Sequence, residues 1–298
     1  YGSYHLVIIK KMKMVNKIAT LIVVGVLSLA GLILFGYNEF ITKDTLQDQP
    51  VAYEIINEWQ LPKELDEVSG IDWIGDNKLA CIQDEDGIIF IFNLETSKVE
   101  KSIEFAGAGD YEDIRIVGKT AYVLRSDGEI FEVSDFLSGN SKTKTYSNFL
   151  TEKQNLESLA WDKNNKRLLL AIKDRELKDD NYKGVYQFSL TNKELERNPL
   201  YRLNMQDSLL RERETKLNKK LQPSALSIHP KNKDFYILDG RAPQLVIANN
   251  DMKLKKRYAL HEDDFEQAEG LTFSENGRLF ISNEGKGGKA NILEVTFK

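Results

Sequence analysis

Four glutamates recur at one interval in this chain. Glu67, Glu112 and Glu157 follow one another 45 residues apart, and Glu269 lies 45 residues after Ser224. If a structural unit repeats at that interval and closes on itself, equivalent side chains converge on one mouth. Carboxylates gathered there raise each other's pKa and cost stability unless positive charge sits among them. One source is a hard cation such as Ca²⁺, which takes 6–8 oxygen ligands. Glu67, Glu112, Glu157 and Glu269 are its candidate ligands, with the Ser224 hydroxyl completing the ring. The other source is the chain itself: Arg125, Lys173 and Arg241 follow hydrophobic runs at matching places, with Asp239 nearby, and together with Ser224 they are the candidate ligand-binding groups of the same mouth. A plainer reading stands beside both. Each glutamate accepts backbone N–H bonds from its neighbouring unit and repeats because the architecture repeats.

Catalytic patterns are thin. The histidines are His5, His229 and His261, and there is no G-x-S-x-G elbow, H-E-x-x-H or phosphate-cradling glycine loop. The "QDEDG" stretch at 83–87 lacks the downstream glutamate of an EF-hand and reads as a turn. Enzyme activity is therefore the lesser expectation.

The elements that must position these residues follow from the repeat. "EVSGIDW", "EDIRIVG", "ESLAWDK", "SALSIHP" and "EGLTFSE" each open a unit, followed by a turn and a second strand such as "TAYVLRSDG" or "RLFISNEG". A third strand then follows each time, as in "IIFIFNL" and "NILEVTF". A meander repeating every 45 residues is the mark of a β-propeller, whose radial closure leaves no long sheet edge exposed. Five units predict an all-β, five-bladed ring over residues 51–298, six blades being the alternative if a surplus near residue 200 adds strands. From Glu157 to Ser224 is 67 residues, 22 beyond one repeat. The charged, leucine-bearing stretch 204–221 is expected to hold that surplus as an amphipathic helical insertion. The last unit ends after three strands, and "VAYEIINEWQ" at 51–60 is a strand without a partner. Pairing the two closes the ring.

Composition excludes little else. Of 298 residues 41% are hydrophobic, and the net charge is −5 with signs mixed, so a core is affordable and no basic nucleic-acid surface is indicated. The single Cys81 rules out an internal disulfide framework and a cysteine-based zinc site. Residues 18–35 are an uncharged apolar run preceded by Lys10, Lys11, Lys13 and Lys17. The reading is a basic cytoplasmic segment at 1–17, a transmembrane anchor or uncleaved signal at 18–37 and a spacer at 38–50. By the positive-inside rule this is a single-pass protein of the plasma (inner) membrane with its propeller on the extracytoplasmic side.

Taken together, "EVSGIDW", "QDEDGIIFIF", "DYEDIRIV", "NLESLAWD", "QAEGLTF" and "ISNEG" resemble the SdiA-regulated family of bacterial β-propellers across roughly residues 52–298. The resemblance implies an envelope propeller that holds calcium near its channel, with Glu67, Glu112, Glu157 and Glu269 at the matching positions. The chain departs from that pattern at "QPSALSI", which has no acid, and at "VLRSDG", where relatives carry an acid beside the arginine. The expected function is a membrane-anchored binding module with a divalent cation at the channel mouth, taking an envelope protein or a small polar ligand as partner. The alternatives are a calcium-dependent hydrolase of lactonase or phosphodiesterase type, in which the cation polarises substrate or water, and a purely structural scaffold.

Overall fold

A computed structural model describes residues 52–177, 179, 181–211, 221–285 and 288–298. The basic segment 1–17, the anchor 18–37 and the spacer 38–50 lie outside the described residues. Among the described residues no helix is long and apolar enough to cross a membrane.

Five antiparallel sheets make the ring. Blade one runs through Val68–Gly75, Lys78–Gln83, Ile88–Asn93 and Lys98–Glu104. Blade two follows with Tyr111–Val117, Thr120–Arg125, Ile130–Ser134 and Lys142–Tyr146. Blade three has Leu156–Asp162, Arg167–Ile172 and Tyr182–Ser189, and its outer edge is split between Glu194–Leu195 and Tyr201–Asn204. Blade four comprises Ala225–Ile228, Phe235–Asp239, Gln244–Ala248 and Leu254–Ala259. Blade five has Ala268–Phe273, Leu279–Asn283 and Asn291–Phe297. Its outer strand is Tyr53–Gln60, which pairs antiparallel with Asn291–Phe297 from Tyr53 against Phe297 to Gln60 against Asn291. The expected closure is thus the one observed.

Burial along each strand reports its place in the blade. Arg167–Ile172 is buried at every residue after the first, as a strand covered on both faces must be, and it reads as an unbroken apolar run. The outer Lys98–Glu104 alternates exposed with part-buried residues until Ile103, which is buried. Asp76 and Asn77 adopt positive φ in the tight turn between the first two strands of blade one, a conformation their short side chains tolerate. Five hydrophobic clusters fill the five seams between blades, so no seam is left uncovered. Trp73 stacks on Phe280 across the seam between blades five and one, with ring centroids 5.4 Å apart.

The surplus in blade three, as far as it is described, opens on a strand. Asn204 ends a strand rather than opening a helix, because Tyr201–Asn204 keeps a period of two, with Leu203 buried between exposed Arg202 and Asn204, and pairs with Tyr182–Val185. A helical segment follows at Ser208–Arg211. Residues 212–220 lie outside the described residues.

The hub of the ring is a buried ion pair. Arg115, 2% exposed, bonds to the Asp113 carboxylate (2.8 Å) and donates to the carbonyls of Ile71 (3.0 Å), Ile114 (2.5 Å), Leu226 (2.9 Å) and Leu271 (3.1 Å). The second oxygen of Asp113 accepts from the N–H of Leu159 at 2.7 Å. One arginine and one aspartate therefore tie the innermost strands of all five blades. Asp72 adds a further cross-blade tie, accepting from the Ile116 N–H and the Thr272 hydroxyl, both at 2.7 Å.

Candidate functional site

The innermost strands of blades one, two, three and five carry a β-bulge near their start. Register skips from Tyr111 to Asp113 in blade two, from Leu156 to Ser158 in blade three and from Ala268 to Gly270 in blade five. The residues left without a cross-strand partner are Glu112, Glu157 and Glu269. A bulge re-aims the side chain of its extra residue, and here three carboxylates leave the blade seams and face one cavity. In blade one the skip falls between Val68 and Gly70, so the equivalent residue is Ser69 and not Glu67. Blade four places Ser224 just ahead of Ala225–Ile228.

Serine and glutamate do different work at this position. The Ser69 hydroxyl donates to the Tyr111 carbonyl at 2.6 Å, and the Ser224 hydroxyl donates to the Ala268 carbonyl at 2.8 Å. Each ties its blade to the next at the matching residue. Glu112 and Glu269 make no such bond. The backbone ties that a glutamate ring was alternatively expected to make belong to Asp113 and Asp72 instead.

The cavity holds about 160 Å³ and is lined from four blades. Blade one contributes Glu67, Ser69 and Asp84, and blade two contributes Asp110 and Glu112. Glu157 and Lys173 come from blade three; Gln267, Glu269 and Glu284 come from blade five. Among the described residues, seven carboxyl groups thus meet one ammonium. Lys173 is ion-paired to Glu157, whose other oxygen accepts from the Asn155 amide at 2.9 Å. Among the described residues two buried oxygens here, Oδ1 of Asp84 and Oε1 of Gln267, have no hydrogen-bond partner.

The electrostatics follow from this crowding. Burial, then the charges of Glu157, Asp110 and Glu269, pushes the Glu112 carboxyl up to about 10. Burial and the Glu157 charge raise Glu269 to about 8. Asp84 rises to about 6 through burial and the charges of Glu67 and Glu284. Glu157 is also raised, by burial, although Lys173 opposes the shift. For Lys173 burial favours the neutral amine, but Glu157, Glu269 and Glu112 outweigh it and the net shift is upward. Burial and mutual repulsion thus favour the protonated forms of these carboxyls.

The other expected residues are distributed as follows. Glu67 lines the cavity from two residues ahead of the bulge, the position of Asp110 and Gln267, and is exposed. Lys173 lies inside. Arg125 does not line the cavity: it pairs with Asp127 and Glu129, both at 2.7 Å. The reason is register. The backbone N–H groups of Asp84, Ser126, Lys173 and Glu284 bond to the matching inner-strand carbonyls of Glu67, Asp110, Asn155 and Gln267, so the blade-two counterpart of Lys173 is Ser126, one residue later. Arg241 is exposed and donates to Gln222 at 3.3 Å. Asp239 is fully buried and bonded within its own turn, to the N–H groups of Gln222 (3.1 Å) and Ala242 (3.0 Å) and to the Gln244 amide (2.9 Å). Neither lines the cavity. Of the histidines, His229 packs against Tyr236 and Phe273 and His261 lies beside Asp263, away from the lining.

Sequence reasoning missed Asp84, Asp110 and Glu284 as lining residues and Arg115 as the hub. The missed signal for the ring was the apolar frame: Val68–Ile71, Tyr111–Ile114, Leu156–Leu159 and Ala268–Leu271 superpose with Ser69, Glu112, Glu157 and Glu269 as their second residues. Aligning on the glutamates alone pulled Glu67 into the wrong place.

A model of the SdiA-regulated family matches residues 52–286. No curated protein matches the chain. Among solved structures, glutaminyl cyclase from Myxococcus xanthus is 12% identical, with 84% of this chain and 99% of that one covered and a TM-score of 0.58. The PQQ-bound aldose sugar dehydrogenase from Streptomyces coelicolor is also 12% identical, covering 84% of this chain and 100% of that one, with a TM-score of 0.50. At that identity the likeness is one of fold.

Proposed function

The chain belongs to the SdiA-regulated family, and from that premise we propose that it is a binding module whose acidic channel mouth takes a divalent cation, with Ca²⁺ the leading candidate. The single observation that carries this reading is the charge balance of the cavity, where among the described residues seven carboxyls and one lysine form the charged lining. Among the described residues Glu112 and Glu269 have no hydrogen-bond or ion-pair partner there, and buried oxygens of Asp84 and Gln267 have no donor. The donor set is oxygen throughout, which suits a hard cation.

Among the described residues no three His, Cys, Asp or Glu side chains already stand together as a metal-ligand set. A cation here would be held across the ring and keep part of its water. Glu112, Glu157 and Glu269 would hold it, with Asp84 and Gln267 at the rim. When bound, it would supply the positive charge that protons supply in its absence, and its open face would take a polar ligand or partner.

The apolar run at 18–35 and the lysines before it support an anchored, extracytoplasmic placement at the plasma membrane. Calorimetric titration of the full chain with CaCl₂, repeated in two buffers of different protonation enthalpy, tests the proposal. Saturable binding at one site with release of protons is the expected result. Absence of binding heat for calcium, magnesium and manganese in both buffers rejects it.

A further inference from the structure

Lys173 occupies an acid's place. Asp84 in blade one and Glu284 in blade five hold the same position at the end of the second strand, set by the same backbone bond to the inner strand. In blade three that position carries an ammonium, paired to Glu157 with side chains 16% and 8% exposed. Glu269 and Glu112 also act on it electrostatically. Among the described residues no other cation lines the cavity. An ammonium on a four-carbon stem is a compact charge that can change place without moving the backbone.

We propose that Lys173 is a tethered cation that fills the acid mouth in the ligand-free protein and yields it to a divalent cation, so that it sets both the affinity and the charge selectivity of the site. The inference rests on the cation-binding reading above. Asn155 keeps its hold on one oxygen of Glu157, so departure of Lys173 frees the other toward the cavity, where the Asp84 and Gln267 oxygens already lack donors. A monovalent ion that displaces Lys173 exchanges one charge for one and gains nothing. A divalent ion brings one charge more. The lysine therefore filters out sodium and potassium without any size-selective cage.

The test compares the full chain with Lys173→Met and Lys173→Arg by calcium calorimetry and by thermal midpoint in NaCl or KCl. Removing one opposing charge at this range tightens calcium binding by about tenfold or more. Lys173→Met should show that gain and should also begin to respond to sodium and potassium. Lys173→Arg, which keeps the charge, should stay close to wild type. If Lys173→Met folds only when calcium is present, the tethered-cation role is likewise supported. Calcium binding by the wild type with equal or weaker binding by Lys173→Met overturns this inference and leaves the cation site standing. No calcium response in any of the three proteins defeats the cation reading, and this inference with it.

Discussion

Replacing Glu112 by glutamine should stabilise the protein, against the usual outcome of changing a buried residue. The carboxyl rises from an ordinary 4.5 to about 10 in the fold because burial and the charges of Glu157, Asp110 and Glu269 disfavour its ionised form. Above the unfolded-state value the native protein then holds a proton that the unfolded chain has released. Stability therefore falls as pH rises through this window, by about 1.4 kcal/mol per unit. From pH 4.5 to near pH 7.5 the ceiling of that loss is about 4 kcal/mol, which rearrangement and water entry will reduce. Glutamine matches the protonated acid in size and never ionises, so Glu112→Gln avoids the loss. For a domain of this size, with about 2–4 °C per kcal/mol, the ceiling on the rise of the melting midpoint in EDTA near pH 7.5 is roughly 8–16 °C. Near pH 4.5 the two proteins should melt together. Midpoints measured across that pH range decide the matter. A Glu112→Gln protein less stable than wild type near neutrality, or a difference that does not change with pH, refutes the reasoning.

Two further predictions concern the ring itself. Arg115→Met removes donors from four inner-strand carbonyls and leaves Asp113 buried without its partner, so urea unfolding should show a loss of about 3–5 kcal/mol. Tyr53→Phe removes the 2.5 Å bond from the closing strand to Asp264, and should lower stability by about 1–2 kcal/mol while leaving cation binding unchanged.

Much of this architecture was legible in the residues. The 45-residue interval, the unpaired "VAYEIINEWQ" and the three-stranded last unit together require five blades closed by the N-terminal strand, and Tyr53–Gln60 sits against Asn291–Phe297 accordingly. The site was legible only in outline. Glu112, Glu157 and Glu269 converge as their spacing indicates, but a bulge inserts one residue without a marker in composition, and so Glu67 and Ser69 exchange places. Arg125 shows the same blindness one strand further out, since a shift of one residue turns a side chain to the opposite face of a sheet. Arg115 left no repeat signal because it occurs once; Asp72, Ala160, Ser227 and Thr272 take its place in the other blades. An arginine inside the apolar "DIRIV" was nonetheless a warning that something buried had to pair with it.

The central proposal is that the acid mouth takes a divalent cation. Thermal unfolding of the full chain in EDTA and in excess calcium, for wild type and for the Glu112→Gln, Glu157→Gln double variant, tests it most directly. A cation that binds only the folded state must raise the midpoint in proportion to its occupancy. The account predicts a calcium-dependent rise in wild type, and in the double variant a midpoint that calcium no longer moves. An equal calcium response in both proteins, or none in wild type, would contradict it.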